Sequence, residues 1–289
     1  MDMRAILAGL AFALIWSSAF TSARIIVTDA PPILALSLRF LISGMVGIAI
    51  ARMLGQTWRL TPAQWKATIV FGICQNALYL GLNFVAMQSI EASLASIIAS
   101  TMPLAVGFAG WVMFGERLSW IGILGLFAGT LGVALIMGAR MQEGVDLFGI
   151  ILCFIAVASL TVATLMVRGA SSGGNLLMII GLQMLVGSAL LAIPGLFLEH
   201  KVVVWSPKLI IAFSYTVVMP GLVATFIWFW LVRRIGAVKA ATFHFLNPFF
   251  GVVIATIFLG ESLRAWDVVG VVVIMLGILA VQMARQTLQ

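Results

Sequence analysis

The chain has 289 residues, of which 63% are apolar and only 9% are charged, whereas ordinary soluble domains are about 45–50% apolar and about 25% charged. This composition excludes a soluble globular protein. The formal net charge of +7 does not indicate nucleic-acid binding, because the basic residues stand singly or in pairs at the ends of apolar runs and never form a cluster that could bind phosphates.

Apolar segments follow one another along the chain with short polar connectors. Each is close to the roughly 20 residues that a helix needs to cross a bilayer. The pattern predicts helices at 4–27, 32–53, 63–88, 92–114, 119–138, 147–168, 175–198, 207–232, 238–259 and 265–285. The expected fold class is therefore all-α, a polytopic membrane protein with ten transmembrane helices. A signal peptide is the alternative for the first segment, but its apolar character continues to Val27, which is too long.

The distribution of basic residues predicts the orientation, because Lys and Arg favour the cytoplasmic side. With the N-terminus inside, the cytoplasmic ends carry Arg4, Arg52, Arg59, Lys66, Arg117, Arg168, Arg233, Arg234, Lys239 and Arg285, and the outer ends carry Arg24, Arg140, Lys201, Lys208 and Arg264. This ratio of ten to five predicts that both termini lie in the cytoplasm.

An internal repeat appears when the second half of the sequence is moved back by 145 residues. The aligned pairs include Ala92 with Ala237, Pro103 with Pro248, Glu116 with Glu261, Gly125 with Gly270 and Gly132 with Gly277. The repeat predicts two units of five helices, residues 1–140 and 146–289. Because five is odd, the second unit must cross the membrane in the opposite direction. Inverted repeats of this kind are typical of secondary transporters, whose substrate site lies between the repeats near the bilayer midplane.

These features, together with the segment Trp16-Ser17-Ser18-Ala19-Phe20, resemble the EamA-type branch of the drug/metabolite transporter superfamily over the whole chain. Within that branch the sequence is most similar to the YddG-type bacterial exporters of aromatic and other neutral amino acids. The resemblance implies a multi-pass protein of the bacterial inner membrane. It also implies a central cavity lined mainly by helices one, three, four, six, eight and nine, with helices five and ten as scaffold.

What the resemblance implies for function is secondary export of small metabolites, with amino acids as the small-molecule substrates. We expect the lipid bilayer to be the protein's surroundings, and we expect no cofactor, no nucleic-acid partner and a monomer. The alternative within the same fold is transport of nucleotides, nucleotide sugars or drugs. Anionic nucleotides would need basic residues in the cavity, and the predicted midplane contains none.

Polar side chains near helix centres either join helices or line a wet cavity. In the third helix Asn76, Tyr79 and Asn83 have i, i+3, i+7 spacing and are predicted to share one face. In the ninth helix His244 and Asn247 form the densest polar cluster of the second half. We predict that these five residues bind substrate, although a single asparagine would equally well join two helices.

Three further residues complete the predicted substrate-binding set. Trp16 presents a ring face that attracts an ammonium group, unless it only packs against its neighbours. Thr101 lies beside the proline of the fourth helix, and Thr161 aligns with Thr21 of the first helix at an offset of 140 residues.

The prolines within helices are predicted hinges. Pro103 leaves the carbonyl of Ala99 without a helical donor, and Pro248 does the same to His244. These carbonyls could hold a substrate ammonium, or water and nearby hydroxyls could satisfy them. Pro220 in the eighth helix is the third predicted hinge.

Acidic residues are predicted only at helix ends and in connectors. Glu116 and Glu261 are expected to cap the N-termini of the fifth and tenth helices. His244 could couple protons to transport, but a neutral, hydrogen-bonded histidine is an equal alternative, so facilitated diffusion stays open.

Other classes of function find little support. An intramembrane enzyme could use only Ser100 or Ser159 with His244, so we predict no catalytic residue. Cys74 and Cys153 lack the spacing of a metal or redox site. The chain contains no phosphate-binding loop, which excludes an ATP-driven pump.

Overall fold

A computed structural model describes residues 3–115, 119–142, 144–166, 173–235, 240 and 242–287. In these residues there are 10 helices long and apolar enough to cross a membrane, and no strand. They are α1 (Met3–Asp29), α2 (Pro32–Met53), α3 (Pro62–Ala86), α4 (Ala92–Met113), α5 (Trp120–Gln142), α6 (Leu147–Met166), α7 (Leu176–Leu198), α8 (207–235), α9 (Thr242–Leu259) and α10 (Ala265–Thr287). The predicted all-α polytopic class is confirmed.

Two helices, α4 and α9, are interrupted at positions that the sequence repeat makes equivalent. In α4 the regular helix stops at Ala99 and resumes at Met102. In α9 a 3-10 segment, Thr242–Leu246, comes before the regular helix. Each regular segment then has a proline, Pro103 or Pro248, in its first turn, where the missing N–H has no helical partner to lose. The prolines therefore start new helical segments in the middle of the span.

Helices α3 and α8 each contain a π-helical segment, and these segments are also equivalent under the repeat. They are Gly72–Leu80 in α3 and Met219–Val223 in α8, the latter with Pro220. A π turn has i→i+5 backbone bonds and is common at functional sites. The side chains that follow such a segment do not keep the face that regular α-helical spacing assigns to them.

Glycines bring two helix pairs, α5 with α10 and α2 with α7, into close contact. A Cβ built on Gly277 would lie 2.6 Å from the backbone nitrogen of Gly129, and one on Gly181 would lie 3.0 Å from the carbonyl oxygen of Gly44. No side chain fits at such distances. Small residues of this kind allow helices to associate closely within a membrane. Each pair joins a helix of the first half to its equivalent in the second half.

One end of the bundle carries the connectors 29–32, 86–92, 144–147, 198–207 and 259–265, and we call it the Glu261 end. There, Glu261 caps α4 and not α10. Its Oε1 accepts from the backbone N–H of Ala92 at 2.7 Å, and its Oε2 accepts from that of Ser93 at 2.9 Å. The prediction for Glu261 is wrong because α10 begins further along the chain, where Asp267 takes the first backbone N–H. Glu116 lies outside the described residues.

Candidate functional site

A void lies where the interruptions of α4 and α9 meet, with about 350 Å³ of empty space, a figure that includes adjoining open solvent. Its lining residues come from α1, α3, α4, α6 and α9. They are Trp16, Phe20, Tyr79, Ala99, Ser100, Met102, Pro103, Leu160, His244 and Asn247. None of these side chains is a carboxylate, a lysine or an arginine. The site therefore combines aromatic rings with a few neutral polar groups.

The two interrupted helices contribute equivalent positions to the lining. Ala99 of α4 aligns with His244 of α9, and Met102 aligns with Asn247, both at the 145-residue offset of the repeat. One half thus supplies small and apolar groups where the other supplies an imidazole and an amide. The pseudosymmetric backbone creates the space, and the sequence differences between the halves create its polarity.

His244 and Asn247 form a fixed pair. The distance between Asn247 Nδ2 and His244 Nδ1 is 2.9 Å. Because an amide nitrogen only donates, Nδ1 accepts, and the neutral ring carries its hydrogen on Nε2. Aromatic rings surround the imidazole, with centroid distances of 5.2 Å to Phe12, 5.2 Å to Trp228 and 6.3 Å to Trp16. Helix α8 was expected to line the cavity. It adds no described residue to the lining, and instead its Trp228 packs against the ring of His244.

The Asn247 side chain has one unused group. Its Oδ1 is buried, and no described residue donates a hydrogen bond to it. A buried amide oxygen without a partner is unfavourable by about 1–3 kcal/mol. A hydrogen-bond donor on a bound molecule would remove this cost.

The Trp16-Ser17-Ser18 segment joins α1 to two neighbours. Trp16 lines the void, while Ser17 Oγ donates to the carbonyl oxygen of Asn247 at 3.2 Å. Ser18 Oγ lies 2.6 Å from the phenol oxygen of Tyr215 on α8. The three residues therefore place the indole at the void and fix α1 against α8 and α9.

Two predicted site residues of α3 join helices. Asn76 Nδ2 donates to the carbonyl oxygen of Gln183 on α7 at 2.8 Å. Asn83 Nδ2 donates to the carbonyl oxygen of Tyr79 at 2.7 Å, and Asn83 Oδ1 accepts from Cys153 Sγ of α6 at 3.4 Å. Of the three aligned residues, only Tyr79 reaches the void. The π segment changes the angular spacing on which the shared face depended.

The remaining predicted residues also divide into those that line the void and those that do not. Thr101 and Thr161 have hydroxyls that donate to backbone carbonyls of their own helices, at 2.6 and 2.8 Å, and neither lines the void. Pro103 is a lining residue. Pro220 and Pro248 lie at the π segment of α8 and at the restart of α9, outside the lining.

Five lining residues were not in the predicted set. Phe20 lies one helical turn beyond the predicted indole, so the period of α1 could have found it. Ala99 and Met102 could have been found by carrying the histidine and asparagine of α9 back through the repeat. Ser100 and Leu160 have no comparable signal in the sequence.

The serines considered for catalysis are engaged elsewhere. Ser100 Oγ donates to the carbonyl oxygen of Ser96 at 2.6 Å, and Ser159 Oγ donates to that of Cys74 at 3.0 Å. Within the described part of the chain, no group of three or more His, Cys, Asp or Glu residues could hold a metal ion.

Comparison with known proteins identifies the class. The sequence profile of the EamA-like transporter family matches residues 3–138 and again residues 147–283. The chain therefore belongs to this family and is a multi-pass membrane transporter.

Individual relatives agree with this assignment. The chain is 26% identical over 271 residues to "Uncharacterized transporter YvbV" of Bacillus subtilis, which covers 93% of this chain and 88% of the relative. It is 26% identical to "Uncharacterized inner membrane transporter YedA" of Escherichia coli K12, over 92% of this chain and 87% of the relative. A crystal structure with 21% identity has the same fold, with a TM-score of 0.69 and full coverage of both chains.

Proposed function

We propose that this protein is a secondary transporter of the bacterial inner membrane that exports aromatic and other neutral amino acids, as the YddG-type exporters that it resembles do. One observation carries the proposal. The void at the meeting of α4 and α9 has no charged side chain, but has aromatic faces and one buried amide oxygen without a partner.

These groups suit a substrate that has an ammonium group beside an apolar side chain. The faces of Trp16 and Tyr79 attract a cation and stack on an apolar or aromatic group. Asn247 Oδ1 accepts a hydrogen bond from the ammonium group. The carbonyl of Ala99 is a second acceptor near the same void, because the regular helix stops at this residue and Pro103, four residues later, has no N–H to donate.

The same lining argues against anionic substrates of this fold. Nucleotides and nucleotide sugars carry phosphates, which proteins bind through Arg, Lys or clustered backbone N–H groups. No Arg or Lys lines the void.

Transport by alternating access follows from two five-helix units of opposite orientation around a central site. The helix interruptions, the π segments and the glycine contacts all recur at equivalent positions of the two halves, which supports this arrangement. Each unit can then move as a body while the void opens to one side and then to the other. Both termini lie in the cytoplasm in this proposal.

The test uses purified protein in liposomes preloaded with radiolabelled phenylalanine, leucine, glutamate or UMP, with and without a pH gradient. We expect saturable efflux of phenylalanine and leucine only. A dependence on the pH gradient would identify proton coupling, and its absence would identify facilitated diffusion. Efflux of UMP alone, or no saturable efflux of any amino acid, would contradict the proposal.

A further inference from the structure

Between the void and the Glu261 end, α1, α4 and α9 meet along a seam of small and polar residues. Ser17 of α1 donates to the backbone of α9. One turn further along α9 lies Gly251, where a Cβ would fall 1.9 Å from the Ser96 Oγ of α4. The helices therefore touch here without any large side chain between them. We call Thr21, Ser93, Ser96 and Gly251 the seam residues.

The seam contains several buried hydroxyls without partners. Thr21 Oγ1, Ser93 Oγ and Ser96 Oγ are all buried, and no described residue forms a hydrogen bond with them. Ser93 and Ser96 share a face of α4 with Ser100, which lines the void, because their spacing is i, i+3, i+7. A row of hydroxyls thus runs from the site toward the Glu261 end. Water would satisfy these groups if the helices separated.

Glu261 closes the far end of the seam. Its carboxylate belongs to the corner that follows α9, and it binds the first two N–H groups of α4, at 2.7 and 2.9 Å. The residue thus joins the second half of the chain to the first. Gly260 makes this possible, since its left-handed conformation, with φ of +69°, turns the chain back over the start of α4.

Ion pairs surround the same contact. Arg264 Nη1 donates to Glu91 Oε2 at 3.2 Å. The buried Arg140 pairs with Asp267 at 2.8 Å and also binds Glu91. These pairs hold the corner after α9 beside the connector before α4, so the charged groups at this end join the two halves of the chain.

We infer that the seam is the closed exit path for substrate and that Glu261 holds it closed. The inference rests on the proposed alternating access. The unpartnered hydroxyls lower the cost of separating the three helices, and the carboxylate contact opposes that separation. When the Glu261 contact breaks, water enters the seam, and the hydroxyl row becomes a polar path from the void to the predicted periplasmic side.

The test measures access to the seam directly, without any transported substrate. Thr21→Cys is introduced after Cys74→Ala and Cys153→Ser, and a membrane-impermeant maleimide is added to either face of the membrane. Thr28→Cys, an exposed position on the same helix, serves as the reference. We expect Glu261→Gln to raise labelling of the cysteine at position 21 about fivefold or more from the outer face only, since a lost charge-assisted hydrogen bond has an effect of this order.

Two further variants make the result decisive. Glu116→Gln makes the same chemical change in the sequence-equivalent corner, and we expect no increase in outer-face labelling. Ser96→Ala removes an unpartnered hydroxyl, so it should stabilise the closed seam and slow labelling about fivefold.

Unchanged labelling in Glu261→Gln, or an equal increase in Glu116→Gln, would overturn the inference. If Glu261→Gln does not fold, Ser96→Ala alone tests the inference. Labelling of the cysteine at position 21 that is as fast as, or faster than, labelling without the Ser96→Ala change would then overturn the inference. Labelling is independent of substrate identity, so failure of amino-acid efflux would overturn the proposed function and leave this measurement intact.

Discussion

Asn247 donates its amide N–H to Nδ1 of His244, 2.9 Å away, and the same orientation leaves Asn247 Oδ1 buried and unpartnered beside the void. The histidine therefore determines which end of the amide a substrate meets. His244 orients the amide, and the Asn247 oxygen is the group that a substrate would meet. The two residues lie within one helical turn of each other. Its removal should affect substrate binding more than folding.

We predict that Asn247→Leu, which keeps a branched side chain but removes its polar atoms, reduces amino-acid efflux about tenfold or more, because the substrate loses a buried hydrogen bond. His244→Phe should reduce efflux by less, because it preserves the ring packing and only frees the amide to rotate. Initial efflux rates from proteoliposomes test both. Equal rates in Asn247→Leu and wild type would remove the amide from the site.

At Tyr79 we expect the ring to matter more than its hydroxyl. Tyr79→Phe keeps the aromatic face at the void and should change the rate of phenylalanine efflux less than twofold, whereas Tyr79→Ala should reduce it about tenfold, since the interaction of an aromatic face with an ammonium contributes about 1–2 kcal/mol. Comparable loss in the two variants would assign the interaction to the phenol.

For Asn76 we expect an effect on stability and little effect on transport. The side chain joins α3 to α7 through its bond to the Gln183 carbonyl, and Asn76→Ala should destabilise the fold by about 1–3 kcal/mol. The midpoint of thermal unfolding in detergent measures this, and efflux per folded molecule should remain near wild type. A stable variant with no transport would place Asn76 in the site instead.

The contact between α5 and α10 should not accept a side chain. A Cβ at Gly277 would meet the backbone of α5, so Gly277→Val should force the helices apart and greatly reduce the yield of monodisperse protein in size-exclusion chromatography. Gly138→Val in α5 is the matched control, because nothing lies within 4 Å of a Cβ there. Similar yields for both variants would contradict the role of the glycine contact.

Asp146 should give a pH-dependent contribution to stability. The hydroxyl of Ser89 donates to its carboxylate, and the backbone N–H groups of Phe148 and Gly149 add to this, which lowers the pKa of Asp146 below its ordinary value. A lowered folded-state pKa stabilises the fold at neutral pH, and the contribution is lost as the pH falls through that value. Asp146→Asn should therefore lower the thermal unfolding midpoint at pH 7, with the difference shrinking below about pH 4.

Ser89→Ala provides the control for this behaviour. Without the hydroxyl donor, the pKa of Asp146 returns toward its ordinary value, so the stabilising contribution of the charge at pH 7 should be smaller and its loss on acidification should be complete at a higher pH. A difference between Asp146→Asn and wild type that stays constant from pH 7 to pH 3 would contradict the contribution of the charge.

Local sequence signals predicted the helices well, because apolar length and backbone residues such as Pro103 and Gly260 act within a few residues of themselves. The site was predicted only in part. Trp16 and Tyr79 line the void, but Asn83 does not, since a π segment displaces it from the expected face. No residue type within Gly72–Leu80 indicates a π-helical segment from the sequence alone.

The sequence also did not predict which distant residues a side chain would contact. Glu261 was expected to act on the helix that follows it, because a capping residue usually precedes its helix in sequence. Its actual partner begins about half the chain away, at Ala92, and only the packing of the two halves brings them together. The repeat indicates that such cross-contacts exist, but it does not say which amides a carboxylate will reach.

The π segments of α3 and α8 allow these helices to change shape inside a membrane. Hydrocarbon offers no substitute partner for a broken backbone hydrogen bond, so an unwound hinge would be costly. A π turn can pass its extra residue along the helix by exchanging i→i+5 bonds for i→i+4 bonds one at a time. The two ends of such a helix can rotate relative to each other while nearly every peptide group stays paired.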